Sequence, residues 1–281
     1  VAGMAQAPLM YRMIKQGLPP VADRYLRLHV EGLEHVPTTT PAILASNHLS
    51  FVDSLMLPLH VTRPVYFLGK ADYWDSWRTR WFFSSTGVVP VHRGGGEKGQ
   101  DSLRTGVDIL QRGDLLGIYP EGTRSPDGRL YRGKTGPVRM ALEAGVPIVP
   151  CAVVGTDRAM PTGTYVPRRE PVTVRYAPPL DLSRYREQRD DPFVLRSATD
   201  ELMYEIMLLS GQEYVDEYAS KVKSGAVDLT VEPGASPTRA AEADVATRGP
   251  AHDPVELTGD ETLSLPETTD ADRRGSGRAI G

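Results

Sequence analysis

His48 and Asp53 stand five residues apart in Ser46-Asn47-His48-Leu49-Ser50-Phe51-Val52-Asp53, directly after the apolar run Ala42–Ala45. A histidine just past a strand end occupies the place where α/β folds hold ligands. If the chain turns there, the aspartate reaches back to the ring, fixes its tautomer and stabilises the imidazolium. The other ring nitrogen is then left to take a proton from a hydroxyl. That is general-base chemistry. Alone, the spacing is more often a surface histidine near an unrelated carboxylate, so the weight falls on the segments downstream.

Three of these carry further chemistry. Gly87-Val88-Val89-Pro90-Val91-His92-Arg93-Gly94-Gly95-Gly96 reads as a strand running into an arginine and a glycine-rich loop that opens a helix. Backbone N–H groups at such a loop, with a guanidinium beside them, suit an anionic oxygen cluster. A plain glycine turn with an exposed arginine explains the same residues. Tyr119-Pro120-Glu121-Gly122-Thr123-Arg124-Ser125 packs an acid, a permissive glycine, two hydroxyls and an arginine into one turn. Such a turn can bind phosphate while the glutamate orients a neighbour. Val146-Pro147-Ile148-Val149-Pro150 is an apolar strand entry bracketed by prolines, which favours an edge strand or a strand start.

The elements that must position these residues alternate. Apolar runs predict strands at Leu26–Val30, Ala42–Ala45, Val65–Leu68, Val88–Val91, Leu115–Tyr119, Ile148–Val154 and Val172–Tyr176. Helical spacing predicts helices near 51–59, 72–85, 97–112, 136–144 and 191–210. The helix at 97–112 places Leu103, Val107 and Leu110 on one face, with Gly113 as its stop. Strand and helix in alternation predict an α/β domain with a central, mostly parallel or mixed sheet flanked by helices. Residues 1–25 form a separate N-terminal helical segment in this reading and a candidate membrane contact, stopped at Gly17-Leu18-Pro19-Pro20. The domain then spans 26–224. Residues 225–281 are poor in large apolar side chains and read as a disordered acidic tail.

Bulk properties narrow the function classes. The formal charge of −4 shows no whole-chain basic excess of the kind that marks nucleic-acid binding. From Gly225 onward five basic residues face eleven acidic ones, a net of −6, which leaves +2 for residues 1–224. The single cysteine, Cys151, lies in an apolar run and excludes both an intrachain disulfide and a cysteine-rich metal site. No metal is expected. No apolar stretch approaches the roughly 20 residues of a membrane span, so membrane contact is expected to be peripheral or monotopic. Its candidate is Tyr73-Trp74-Asp75-Ser76-Trp77-Arg78-Thr79-Arg80-Trp81, where Trp74, Trp77 and Trp81 share a helical face beside two arginines. The same stripe is also what a core helix presents.

Taken in order, the four segments resemble the lysophosphatidic acid acyltransferase family, glycerolipid acyltransferases of the PlsC type, over about residues 26–210. The resemblance implies that His48 and Asp53 are the catalytic dyad. It implies that Arg93, Glu121, Gly122, Thr123 and Arg124 bind the acceptor phosphate, with Lys70 as a further basic residue. The block Val146, Pro147, Ile148, Val149 and Pro150 is implied as an acyl-donor region. Pro90 departs from the family, where a phenylalanine is common, and puts the local strand geometry in question. The implied reaction moves an acyl group from acyl-CoA or acyl carrier protein to the hydroxyl of lysophosphatidic acid. No cofactor or acyl-enzyme is needed, and the site would face the cytoplasmic side of the cell membrane. Glycerol 3-phosphate or a lysophospholipid are alternative acceptors. A serine hydrolase is disfavoured because no G-x-S-x-G elbow occurs, and a non-catalytic lipid binder has no use for a base.

Overall fold

The computed structural model describes residues 9–71, 87–91, 97–164 and 166–227. Seven strands form one sheet: β1 (His29–Glu31), β2 (Ala42–Ser46), β3 (Val65–Lys70), β4 (Val88–Val91), β5 (Leu115–Ile118), β7 (Ile148–Val154) and β8 (Thr173–Tyr176). Their order is β1-β8-β7-β2-β5-β3-β4. Every pairing is parallel except β7 with β8. Two short strands, β6 (Leu130–Tyr131) and β9 (Tyr214–Val215), pair separately.

A parallel sheet covered on both faces needs strands that are apolar on both. Strand β2 meets that demand, with all five residues buried. Ala42 and Leu44 point into a cluster with Val65, Phe67, Cys151 and Val174. Ile43 and Ala45 point into the opposite one. That second cluster is closed by α3 (Glu97–Gln111), α4 (Gly136–Ala144) and α6 (Pro192–Ser210) through Val107, Met140, Leu195, Leu202 and others. Asp191 caps α6 by accepting from Phe193 N at 2.8 Å, and Gly211 ends it at φ 69°.

The first cluster is covered by α1 (Leu9–Tyr25), which contributes Leu18 and Ala22, with Leu26 just beyond it. Here the structure corrects the sequence: α1 runs through Pro19-Pro20 instead of stopping. Two missing amide donors weaken the helix, but it is tied to the body after the prolines by buried Ala22 and by the Tyr25 hydroxyl, which donates to Pro167 O at 3.0 Å, and before them by two further side chains. Tyr11 accepts from Val65 N at 3.1 Å, and the Lys15 ammonium donates to the carbonyls of Pro58, Leu59 and Val61. Tertiary contacts outweigh the local stop.

The prolines within strands divide. Pro90 lies in β4, at the sheet edge, paired with Gly69 of β3, where a missing donor is harmless. Pro150, expected near an edge, lies instead in the interior strand β7 beside Ala45, and its carbonyl accepts from Ala177 N at 2.8 Å.

Candidate active site

Parallel register sends the chain out of β2, β3, β4, β5 and β7 at one end of the sheet. His48 follows β2, Lys70 closes β3 and Tyr119 follows β5. Arg93, beyond β4, and Trp74, Trp77 and Trp81 lie outside the described residues.

After β2 the chain turns into a single helical turn, α2 (Asp53–Met56), and the turn closes on the aspartate. Asp53 is fully buried. Its Oδ2 accepts from Leu49 N at 2.7 Å and Ser50 N at 2.8 Å, and lies 2.8 Å from His48 Nδ1. Two backbone donors fix the carboxylate, and the carboxylate fixes the ring. His48 keeps 17% of its side-chain surface exposed and lines a cavity of about 310 Å³. Its Nε2 has no partner among the described residues.

Asn47 and Ser50 hold this loop from below. Asn47 Oδ1 accepts from Val153 N at 2.8 Å while its Nδ2 donates to Val153 O at 2.9 Å, so the loop is latched to the end of β7. Ser50 Oγ donates to Met160 O at 2.6 Å. Both side chains are buried, and spacing alone assigns them no role beyond their place in the motif.

Glu121 was expected among the phosphate ligands and has a different task. It is 1% exposed, and its two oxygens accept from His48 N at 3.1 Å and Tyr131 N at 3.0 Å. Burial pushes its carboxyl up to about 8, against those two amides, which favour the charged form. Ser125 N donates to His48 O at 2.7 Å, so the Glu121–Ser125 turn grips the histidine backbone from both sides. Thr123 is also engaged, accepting from Lys223 Nζ at 3.0 Å. Lys223 also bonds the Arg124 carbonyl. Burial, and then the Arg124 cation, lowers its affinity for a proton.

Gly122 and Arg124 do line the His48 cavity, together with Lys134. Gly122 adopts φ +72°, and a Cβ there would lie 3.0 Å from Lys134 Nζ. Glycine is therefore favoured by the backbone conformation, and a larger residue would also have to displace the end of the Lys134 side chain. Neither the Arg124 guanidinium nor the Lys134 ammonium has an anionic partner among the described residues. Lys134 belongs to none of the four sequence segments; the glycine before it makes room for Met203, whose Sδ would lie 2.6 Å from a Cβ at position 133. Much of the remaining wall is apolar, with Phe67, Leu68, Val88, Val91, Pro137 and Met140 beside Ser54 and Ser102.

The proline block stands apart. Val146 and Pro147 precede β7 at the end of the sheet opposite His48, Ile148 and Val149 are fully buried core, and none of Val146–Pro150 lines the cavity. The block builds the strand beside β2 and does not reach the site as an acyl-donor surface, because an apolar run in an interior strand has both faces committed to packing.

An imidazole held by a carboxylate, open to a cavity lined by two cations and by apolar side chains, is a setting that suits acyl transfer to an anionic alcohol. Residues 27–154 match the family model described as Acyltransferase. Over those residues the chain is similar to an acyltransferase domain. The chloroplastic 1-acyl-sn-glycerol-3-phosphate acyltransferase LPAT1 of Arabidopsis thaliana is 37% identical to it over 141 residues, 50% of this chain and 39% of that protein. The 1-acyl-sn-glycerol-3-phosphate acyltransferase of Limnanthes alba is 31% identical over 170 residues, 59% of each chain. Among solved structures, the 1-acyl-sn-glycerophosphate acyltransferase PlsC from Thermotoga maritima matches 65% of this chain and 76% of its own, at 25% identity and a TM-score of 0.49. The chain spans between two-fifths and three-fifths of the length of these curated relatives. Gln212, beyond the matched range, is tied to it: Asn47 Nδ2 also donates to Gln212 Oε1 at 2.8 Å, and Gln212 Nε2 donates to Gly128 O at 2.6 Å.

Proposed function

We propose that the acyltransferase domain moves a fatty acyl group from a thioester, acyl-CoA or acyl carrier protein, to the free hydroxyl of 1-acylglycerol 3-phosphate, giving phosphatidic acid. The observation that carries this reading is the 2.8 Å contact of His48 Nδ1 with a carboxylate already fixed by two backbone amides, with Nε2 left to the cavity.

In this reaction His48 Nε2 takes the hydroxyl proton as the oxygen attacks the thioester carbonyl. A C–O bond forms, the C–S bond breaks, and the thiolate recovers the proton from the imidazolium. No acyl-enzyme is formed. Asp53, fixed in place by its amide donors, faces the ring as it takes on positive charge. Arg124 and Lys134 hold the acceptor phosphate so that its hydroxyl falls near Nε2, where positioning supplies much of the rate. Arg93 and Lys70 are further phosphate contacts in this proposal. The apolar wall from Phe67 to Met140 takes acyl chain. The names of the relatives, each a 1-acyl-sn-glycerol-3-phosphate acyltransferase, support the choice of acceptor.

General-base catalysis contributes about 10²–10⁴-fold. His48→Ala is therefore expected to lose at least about a hundredfold in turnover of 1-acylglycerol 3-phosphate with acyl-CoA, while its circular dichroism and thermal midpoint stay close to wild type. A folded His48→Ala protein working at the wild-type rate would overturn the assignment. Glycerol 3-phosphate and a lysophospholipid, run beside it with the same radiolabelled donor, identify the acceptor.

A further inference from the structure

The His48 ring is held at its edge by Asp53, and its face is occupied as well. Tyr119, the first residue after β5, lies parallel to it, with ring centroids 3.8 Å apart and an angle of 8° between the planes. Resting on the proposed role of His48 as the base, we propose that Tyr119 is a positioning residue that keeps the imidazole in the Asp53 plane and stabilises the positive charge it gains with the acceptor's proton.

The placement of Tyr119 is itself built. Its hydroxyl and that of Ser54, on α2, share a hydrogen bond of 3.0 Å. Behind it Phe67 of β3 continues the stack at 5.8 Å and 21°. Phe67 reaches that position only because residue 117 is glycine: a Cβ there would lie 2.3 Å from the Phe67 ring. Four residues on three elements thus converge on one face of the histidine.

An aromatic face attracts a cation, and more strongly where water is excluded. Neutral imidazole gains little from this charge term, so the attraction appears as the proton is taken and belongs to differential stabilisation of the transition state. The surrounding charges make it matter. Asp53 from α2 favours the imidazolium, whereas Arg124 and Lys134, lining the same cavity, oppose it. Glu121 meets the His48 amide rather than the ring, and Lys223 stands behind Glu121 and Arg124. The Tyr119 phenol is pushed upward by burial and then by Asp53, so the ring stays neutral over the working range.

The test is the pH dependence of kcat. Tyr119→Phe keeps the stack and is expected to retain most of the activity and the position of the acidic limb. Tyr119→Leu removes the ring; its acidic limb is expected to move down by about half a unit to one unit, with kcat lowered about tenfold and KM for both substrates within about twofold. Ring-fluorinated phenylalanines at position 119 keep shape and packing while draining the ring of electron density, and cover the case in which Tyr119→Leu does not fold. Each added fluorine is expected to step the limb to lower pH. A limb unmoved across the fluorinated series would overturn the proposal, as would a folded Tyr119→Leu protein with wild-type kcat. His48→Ala, measured alongside, separates the two ideas: activity there removes the base itself, whereas an inactive His48→Ala with a flat fluorine series removes only the role of Tyr119.

Discussion

Glu121 shows how a residue's chemistry is set by what it touches rather than by its motif. The Glu-Gly-Thr-Arg run joins two tasks, since Gly122 and Arg124 face the cavity while Glu121 turns inward onto the amides of His48 and Tyr131. Burial raises its carboxyl from 4.5 to about 8. The folded domain therefore binds this proton more tightly than the unfolded chain does. The stability it contributes is complete below about pH 4.5, declines as the pH rises and is gone above about pH 8. Glu121→Gln has no such proton to lose. Between pH 5 and 8 wild type is expected to lose stability relative to Glu121→Gln, with a limiting slope of about 1.4 kcal/mol per pH unit. Urea midpoints at pH 5, 6.5 and 8 measure the difference, and a gap that does not change with pH would show that Glu121 is ionised throughout.

At the scale of elements, the sheet was legible because a doubly covered strand must be apolar on both faces, as Ala42–Ala45 and Ile148–Val154 are. The site loops were legible as polar exits from strand ends, Ser46-Asn47-His48 at the end of β2 and Glu121-Gly122-Thr123-Arg124 after β5. What escaped was long-range and short. Strands β6 and β9 have two residues each, too few for any period to show, and they exist because the chain after α6 returns to the Glu121 turn. Leu130 N donates to Glu213 O at 2.8 Å, and Arg132 N to Val215 O at 3.1 Å. The stop expected at Pro19-Pro20 failed for the same reason, since Lys15 and Tyr11 bond residues more than forty positions away. The return segment carries a prediction. Gln212 joins Asn47, next to the histidine, to Gly128, just beyond the Glu121–Ser125 turn. Gln212→Ala removes both bonds, and a buried amide pair of this kind is worth about 1–3 kcal/mol. The expected result is a lowered urea midpoint together with a fall in kcat of several-fold. Unchanged values of both would mean that the segment packs without positioning the loop.

For the molecule as a whole, the question is where a lipid substrate is met. Among the described residues no helix is long and apolar enough to cross a membrane. We propose that the domain works as a peripheral protein on the cytoplasmic face of the cell membrane. Residues 1–224 carry +2 against −6 in the remainder, so the domain rather than the tail is the part suited to anionic lipid. The segment between β3 and β4 holds all three tryptophans and Arg78 and Arg80, a composition that anchors at a lipid interface. In sequence it joins Lys70 to the strand leading to Arg93. The double variant Trp74→Ala, Trp77→Ala is expected to co-sediment several-fold less with vesicles containing anionic lipid, while keeping turnover on a short-chain, water-soluble acceptor. Raising the salt concentration is expected to weaken wild-type binding as the arginines are screened. If the double variant bound vesicles as wild type does, this segment would not be the membrane contact, and the exposed side of α1, with Met13 and Val21 more than half exposed, would be the next surface to alter.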